Sequence, residues 1–99
     1  MEKIISKIHK KTQYHTYILK CQDNTLYTGI TTNIARRLKE HNTTALGAKY
    51  TRARRPVTLV YSCAYPTRSE AQRAEFSIKK LSKNQKILLI QDKQKTTNS

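Results

Sequence analysis

The sequence predicts a small α+β domain, a short and mainly antiparallel three-stranded sheet flanked by helices, and three observations carry that expectation. Residues 14–21 and 25–31 are two runs rich in β-forming residues joined across Asp23 and Asn24. Residues 57–65 are a third such run, set off by Pro56. Two further segments carry apolar residues at helical spacing behind capping residues, which gives the order β-β-α-β-α.

The first two runs read as a hairpin, with Asn24 suited to the left-handed backbone that a tight turn often needs. Tyr17 and Tyr27 can share one face of a simple hairpin only if its loop has an odd number of residues or a bulge. Thr31, Thr32 and Asn33 then offer N-caps to a helix of about three turns with Ile34, Ala35 and Leu38 as its apolar stripe, ending between Thr43 and Gly47. A basic connection containing Lys49, Tyr50, Arg52, Arg54 and Arg55 leads to the third strand. Behind it, Thr67-x-x-Glu70 and Ser69-x-x-Gln72 form overlapping capping boxes ahead of Ala71, Ala74, Ile78 and Leu81, the firmest helix signal in the chain. The short run from Ile87 to Ile90 closes the core as a helix or a strand, which its periodicity does not distinguish. The expected organisation is a basic flexible arm over residues 1–13, one domain over 14–91 and a loosely held tail over 92–99.

Composition limits the functions open to such a domain. Its 99 residues suffice for one modest core, so everything functional shares one scaffold. Lys and Arg number 20 against 6 acidic residues, a formal charge of +14 that calls for a polyanionic partner, nucleic acid foremost. No apolar stretch is long enough to span a bilayer, and the amino terminus does not read as a secretory signal, so a cytoplasmic address without membrane is expected. Cys21 and Cys63 lack the spacing of a zinc site and are expected as small buried hydrophobes, not as a disulfide.

Five residues decide the functional reading: Tyr17, Tyr27 within Tyr27-Thr28-Gly29, Arg37, His41 and Glu75. Tyr27 lies ten residues after Tyr17, Arg37 ten after Tyr27, and His41 one helical turn after Arg37. In order and element type this set resembles the GIY-YIG nuclease superfamily, most closely its stand-alone single-domain bacterial members, over residues 16–90. The Gly-Ile part that precedes the first family tyrosine is missing here, where His15 and Thr16 stand before Tyr17. The resemblance implies cleavage of phosphodiester bonds with one divalent ion, Mg2+ or Mn2+. It assigns the metal to Glu75, the scissile phosphate to Arg37 and the attacking water to Tyr27. His41 is then placed to relay or accept a proton, and Tyr17 to order the site or bond the phosphate. A tyrosine base is awkward at an ordinary pKa of about 10, so cationic surroundings would have to favour the phenolate.

Each of these residues also has a plainer explanation. The tyrosines could be half-buried strand aromatics, Arg37 a solvated charge, His41 a complement to the helix dipole, and Glu75 an i,i+4 ion pair with Lys79. Family nucleases often carry an asparagine in the closing segment; Asn84 sits at a different offset and receives no role. The basic cluster Lys49, Tyr50, Arg52, Arg54 and Arg55 suits phosphate contact and base stacking. DNA is expected over RNA, and repair or recombination intermediates over sequence-specific targets, because little chain remains to read bases. The alternatives are a catalytically silent nucleic-acid-binding module and a subunit or adaptor that docks on a partner nuclease, and a protein partner that supplies specificity is open in either case. Oligomeric state is not readable.

Overall fold

The computed structural model describes residues 13–98; the basic arm before Gln13 and the last residue lie outside them. Strand β1 (Tyr14–Lys20) is central, paired antiparallel with β2 (Leu26–Thr31) on one side and β3 (Thr58–Tyr65) on the other. This is the predicted α+β arrangement. The hairpin loop spans residues 21–25, an odd number, so the register sets Tyr17 opposite Gly29 and Leu19 opposite Tyr27, all four on one face. Asn24 adopts a φ of 69°, as expected of the turn. A bulge at Val60, between the Ile18–Tyr61 and Leu19–Leu59 pairs, lets both Val60 and Tyr61 pack on the opposite face.

Helix α1 (Ile34–Thr43) starts at Asn33, whose side chain accepts from the Arg36 amide. Its Ile34 and Leu38 pack with Tyr27 onto Tyr17, Leu19, Cys21 and Val57, which form the core on that face. The four-residue helix α2 (Lys49–Arg52) interrupts the basic connection. Behind the other face lie α3 (Arg68–Lys79), capped by Thr67 as its capping box predicts, and α4 (Lys83–Asn98). Ile78 of α3 and Ile90 of α4 pack onto Ile18. The two layers bury different faces of one strand, β1, so each holds the sheet in place for the other.

One point that the sequence leaves open is settled, and one expectation is departed from. The run from Ile87 to Ile90 is helical, and α4 carries on through residues 92–98, where the sequence predicts a loose tail. Its start is fixed by a reciprocal box: the Ser82 amide donates to Gln85 Oε1 and the Gln85 amide to Ser82 Oγ. The four consecutive apolar residues give no stripe, which is why their spacing is uninformative. Both cysteines are free, Cys21 buried and Cys63 partly so, as expected.

Candidate active site

The site forms where α1, α2 and the β1–β2 face meet. Tyr17 is 2 % exposed, and its ring crosses the edge strand directly over Gly29. A Cβ at position 29 would stand 2.6 Å from Tyr17 Oη and 2.8 Å from Cζ, so only glycine leaves the phenol its place. Tyr17 Oη lies 2.8 Å from His41 Nε2. The fully buried His41 ring is held from its other side by Thr51, 2.9 Å from Nδ1, and the Thr51 hydroxyl donates to the Ala48 carbonyl at 2.9 Å. The Tyr27 ring meets the His41 ring edge-on at 5.2 Å and the Tyr17 ring at 6.5 Å. The tyrosines and the histidine are therefore one packed cluster.

Charges surround this cluster. Arg37 is fixed by Glu40 at 2.8 Å and by the Leu46 carbonyl at 2.8 Å, and acts on the Tyr17 hydroxyl. Burial pushes the Tyr17 pKa up to about 12 despite the opposing pull of Arg37, with Tyr27 and Glu75 adding to the rise. Burial, reinforced by Arg37, takes His41 down to about 4, so this histidine is neutral and does not serve the helix dipole as a cation. Glu75 belongs to α3, which packs against β1 and β2 from the other layer, yet its charge reaches Tyr17. The ion pair expected with Lys79 is also present, Nζ to Oε2 at 2.9 Å. Of the other four sequence-selected residues, Tyr27, Arg37 and His41 gather at Tyr17, and Glu75 is linked to it through its charge.

The basic segment continues from this cluster. The Tyr50 ring stacks on Tyr27 at 6.1 Å, and the Arg54 guanidinium lies 3.9 Å from the centre of the Tyr50 ring. Asp23, in the hairpin loop, holds Arg54 Nε at 3.1 Å. Lys49 and Arg52 are exposed alongside, in an open depression with Tyr50 and Arg54. Arg55 differs: Nε donates to the His41 carbonyl at 2.5 Å, and Nη2 donates to the carbonyls of Glu40 and Thr44, closing the carboxyl end of α1. Gly47 packs against the same helix end, where a Cβ would meet the Glu40 oxygen at 2.7 Å.

Sequence reasoning missed two residues. Thr51 is the partner of His41, a pairing that depends on α2 and has no signature in spacing. Asn42 pairs with the backbone of Val57 like a neighbouring strand, donating from Nδ2 at 3.0 Å and accepting at Oδ1 at 2.7 Å. It ties α1 to the segment entering β3. Asn84, given no role from the sequence, is exposed on α4.

The donor set fits a hard divalent ion only in one form. Among the described residues no three His, Cys, Asp or Glu side chains gather into a metal site. Among the described residues Glu75 is the carboxylate that acts on Tyr17, Glu40 acting instead on His41 and Arg37, and the Glu75 ion pair uses Oε2. A single carboxylate, completed by water and substrate phosphate, matches the way Mg2+ is commonly bound. A separate cleft of about 470 Å³ between α4 and the hairpin, floored by Leu26, Val60, Ile87 and Ile90, contains none of these groups. No described helix is long and apolar enough to cross a membrane.

Comparison with known proteins agrees with this geometry. The model of the GIY-YIG catalytic domain matches residues 13–87. A UPF0213 protein of Desulfotalea psychrophila is 55 % identical over 82 residues, covering 83 % of this chain and 74 % of that protein. One of Staphylococcus haemolyticus is 48 % identical over 81 residues, covering 82 % and 98 %. The solution structure of a UPF0213 protein from Bacillus halodurans superposes with a TM-score of 0.53 at 44 % identity, over 80 % of this chain and 83 % of that one. With the domain matched across nearly all the described residues and its tyrosines, arginine and glutamate acting on one another, the chain belongs to the GIY-YIG catalytic domain family, a family of nuclease type that generally uses a divalent metal.

Proposed function

We propose that this protein is an endonuclease that hydrolyses DNA phosphodiester bonds with one Mg2+ or Mn2+ ion, acting in the cytoplasm on branched or damaged repair and recombination intermediates. The observation that carries the reading is the convergence of Tyr17, Tyr27, Arg37, His41 and Glu75 beside an exposed basic surface. A merely structural aromatic cluster has no need of an arginine from one layer and a carboxylate from the other. Phosphodiester cleavage needs an activated water, neutralised phosphate charge and help for the leaving oxygen. Glu75 would hold the ion, which supplies charge neutralisation and a more acidic bound water. Arg37, steadied by Glu40, offers its guanidinium to a phosphate oxygen. Tyr27, half-exposed where Tyr17 is buried, is the tyrosine that an attacking water can reach.

Lys49, Arg52 and Arg54 are the phosphate contacts of this reading, with the Tyr50–Arg54 stack offering a flat surface to a base. Arg55 contributes indirectly, since its donors are committed to the end of α1. Residues 14–91 form the catalytic unit, and a protein partner can supply target choice.

Labelled duplex, single-stranded, flap and four-way DNA, with an RNA control, incubated with Mg2+ or Mn2+ provide the test. Metal-dependent cutting that disappears in Glu75→Ala and Tyr27→Phe is the expected result. Salt-sensitive binding without cutting of any substrate would overturn the enzymatic reading in favour of a binding module.

A further inference from the structure

We infer that Thr51 is a positioning residue that fixes His41 as its Nδ1–H tautomer, so that Tyr17 enters the site as a hydrogen-bond acceptor and cannot donate to a phosphate. The hydrogen bonds settle their own directions from both ends. At one end, the Tyr17 hydroxyl is buried, and among the described residues the only acceptor that reaches it is His41 Nε2, 2.8 Å away. Its hydrogen must go there, because a buried hydroxyl without an acceptor is costly. Nε2 therefore carries no hydrogen, and in a neutral imidazole the hydrogen sits on Nδ1. At the other end, the single hydroxyl hydrogen of Thr51 is directed at the Ala48 carbonyl at 2.9 Å, which leaves Oγ1 to accept from Nδ1–H at 2.9 Å. The reversed chain, Thr51 to Nδ1 and Nε2–H to Tyr17, would strand the Tyr17 hydrogen in the interior.

The consequence lies at the Tyr17 oxygen. With its hydrogen committed to His41, the oxygen presents lone pairs toward Arg37. It can accept from that guanidinium or from a water in the site, whereas phosphate oxygens are acceptors and gain nothing from it. The role in bonding phosphate that the resemblance left open for Tyr17 is thereby closed, and holding Arg37 or a water remains. α2 exists, on this reading, to bring Thr51 beneath the histidine: Thr51 is fully buried in a helix whose neighbours Lys49, Tyr50 and Arg52 are exposed.

The tautomer is measurable without any substrate, by long-range proton–nitrogen correlation on the 15N-labelled full chain near neutral pH, with His41→Gln assigning the signals. Wild type is expected to show hydrogen on Nδ1 and a pyridine-type Nε2; hydrogen on Nε2 would overturn the proposal with no variant needed. Thr51→Ser should keep the wild-type pattern, and Thr51→Val should shift the population toward Nε2–H. An unchanged tautomer in Thr51→Val would remove Thr51 from the role. The kinetic arm rests on the nuclease reading: Thr51→Val should lower kcat about tenfold or more, the cost of one misdirected hydrogen bond, with KM little changed and serine restoring the rate. Absence of nuclease activity would leave the spectra unaffected, so the two readings fail separately.

Discussion

Tyr17 and His41 pair across 24 positions of sequence, and burial holds both in an uncharged state. For His41 the folded pKa of about 4 lies below the ordinary value of 6.5. Between those values the unfolded chain takes up a proton that the folded chain refuses, so stability falls as pH drops from 6.5 toward 4 and changes no further, on this account, below 4. Full expression of the shift corresponds to roughly 3 kcal/mol. Urea melts at pH 7 and pH 4.5 should therefore differ for wild type, and the difference should shrink in His41→Gln. Gly29 is the other decisive residue, since a methyl group there must displace Tyr17 from His41. Gly29→Ala should cost about 1–3 kcal/mol by overpacking and abolish cleavage, checked by melting and by the DNA assay on the same preparation.

The hairpin and α3 were legible because their signals are local: an odd loop puts Tyr17 and Tyr27 on one face, and Thr67-x-x-Glu70 announces a helix. Less was legible where an element takes its meaning from another. The helix α2 has no side-chain cap, and its worth lies in what Thr51 does for α1. The final helix lacks an apolar stripe and is marked only by Ser82 and Gln85. Arg55 resembles its basic neighbours in sequence, yet it closes the end of α1. Arg55→Ala should leave those carbonyls poorly satisfied and lower stability by about 1–3 kcal/mol in a urea melt. By contrast, Lys49→Ala and Arg52→Ala change exposed side chains and should leave the melting midpoint within experimental error of wild type.

At the scale of the molecule, the charge of +14 would make the proposed DNA affinity a matter of counterion release. Removing Lys49 or Arg52 should reduce the slope of log K against log salt by about 0.9 for each phosphate no longer neutralised, alike for every DNA sequence, in fluorescence anisotropy titrations. Sequence composition made that expectation available, whereas the sandwiching of β1 between two different layers was visible only in the fold. That sandwich has a bearing on safety. Tyr17, Arg37 and His41 come from one layer and Glu75 from the other, so on the proposed reading the carboxylate assigned to the ion is in place only when both layers are packed on β1. On the proposed nuclease reading, cutting would then be confined to fully assembled copies of the domain.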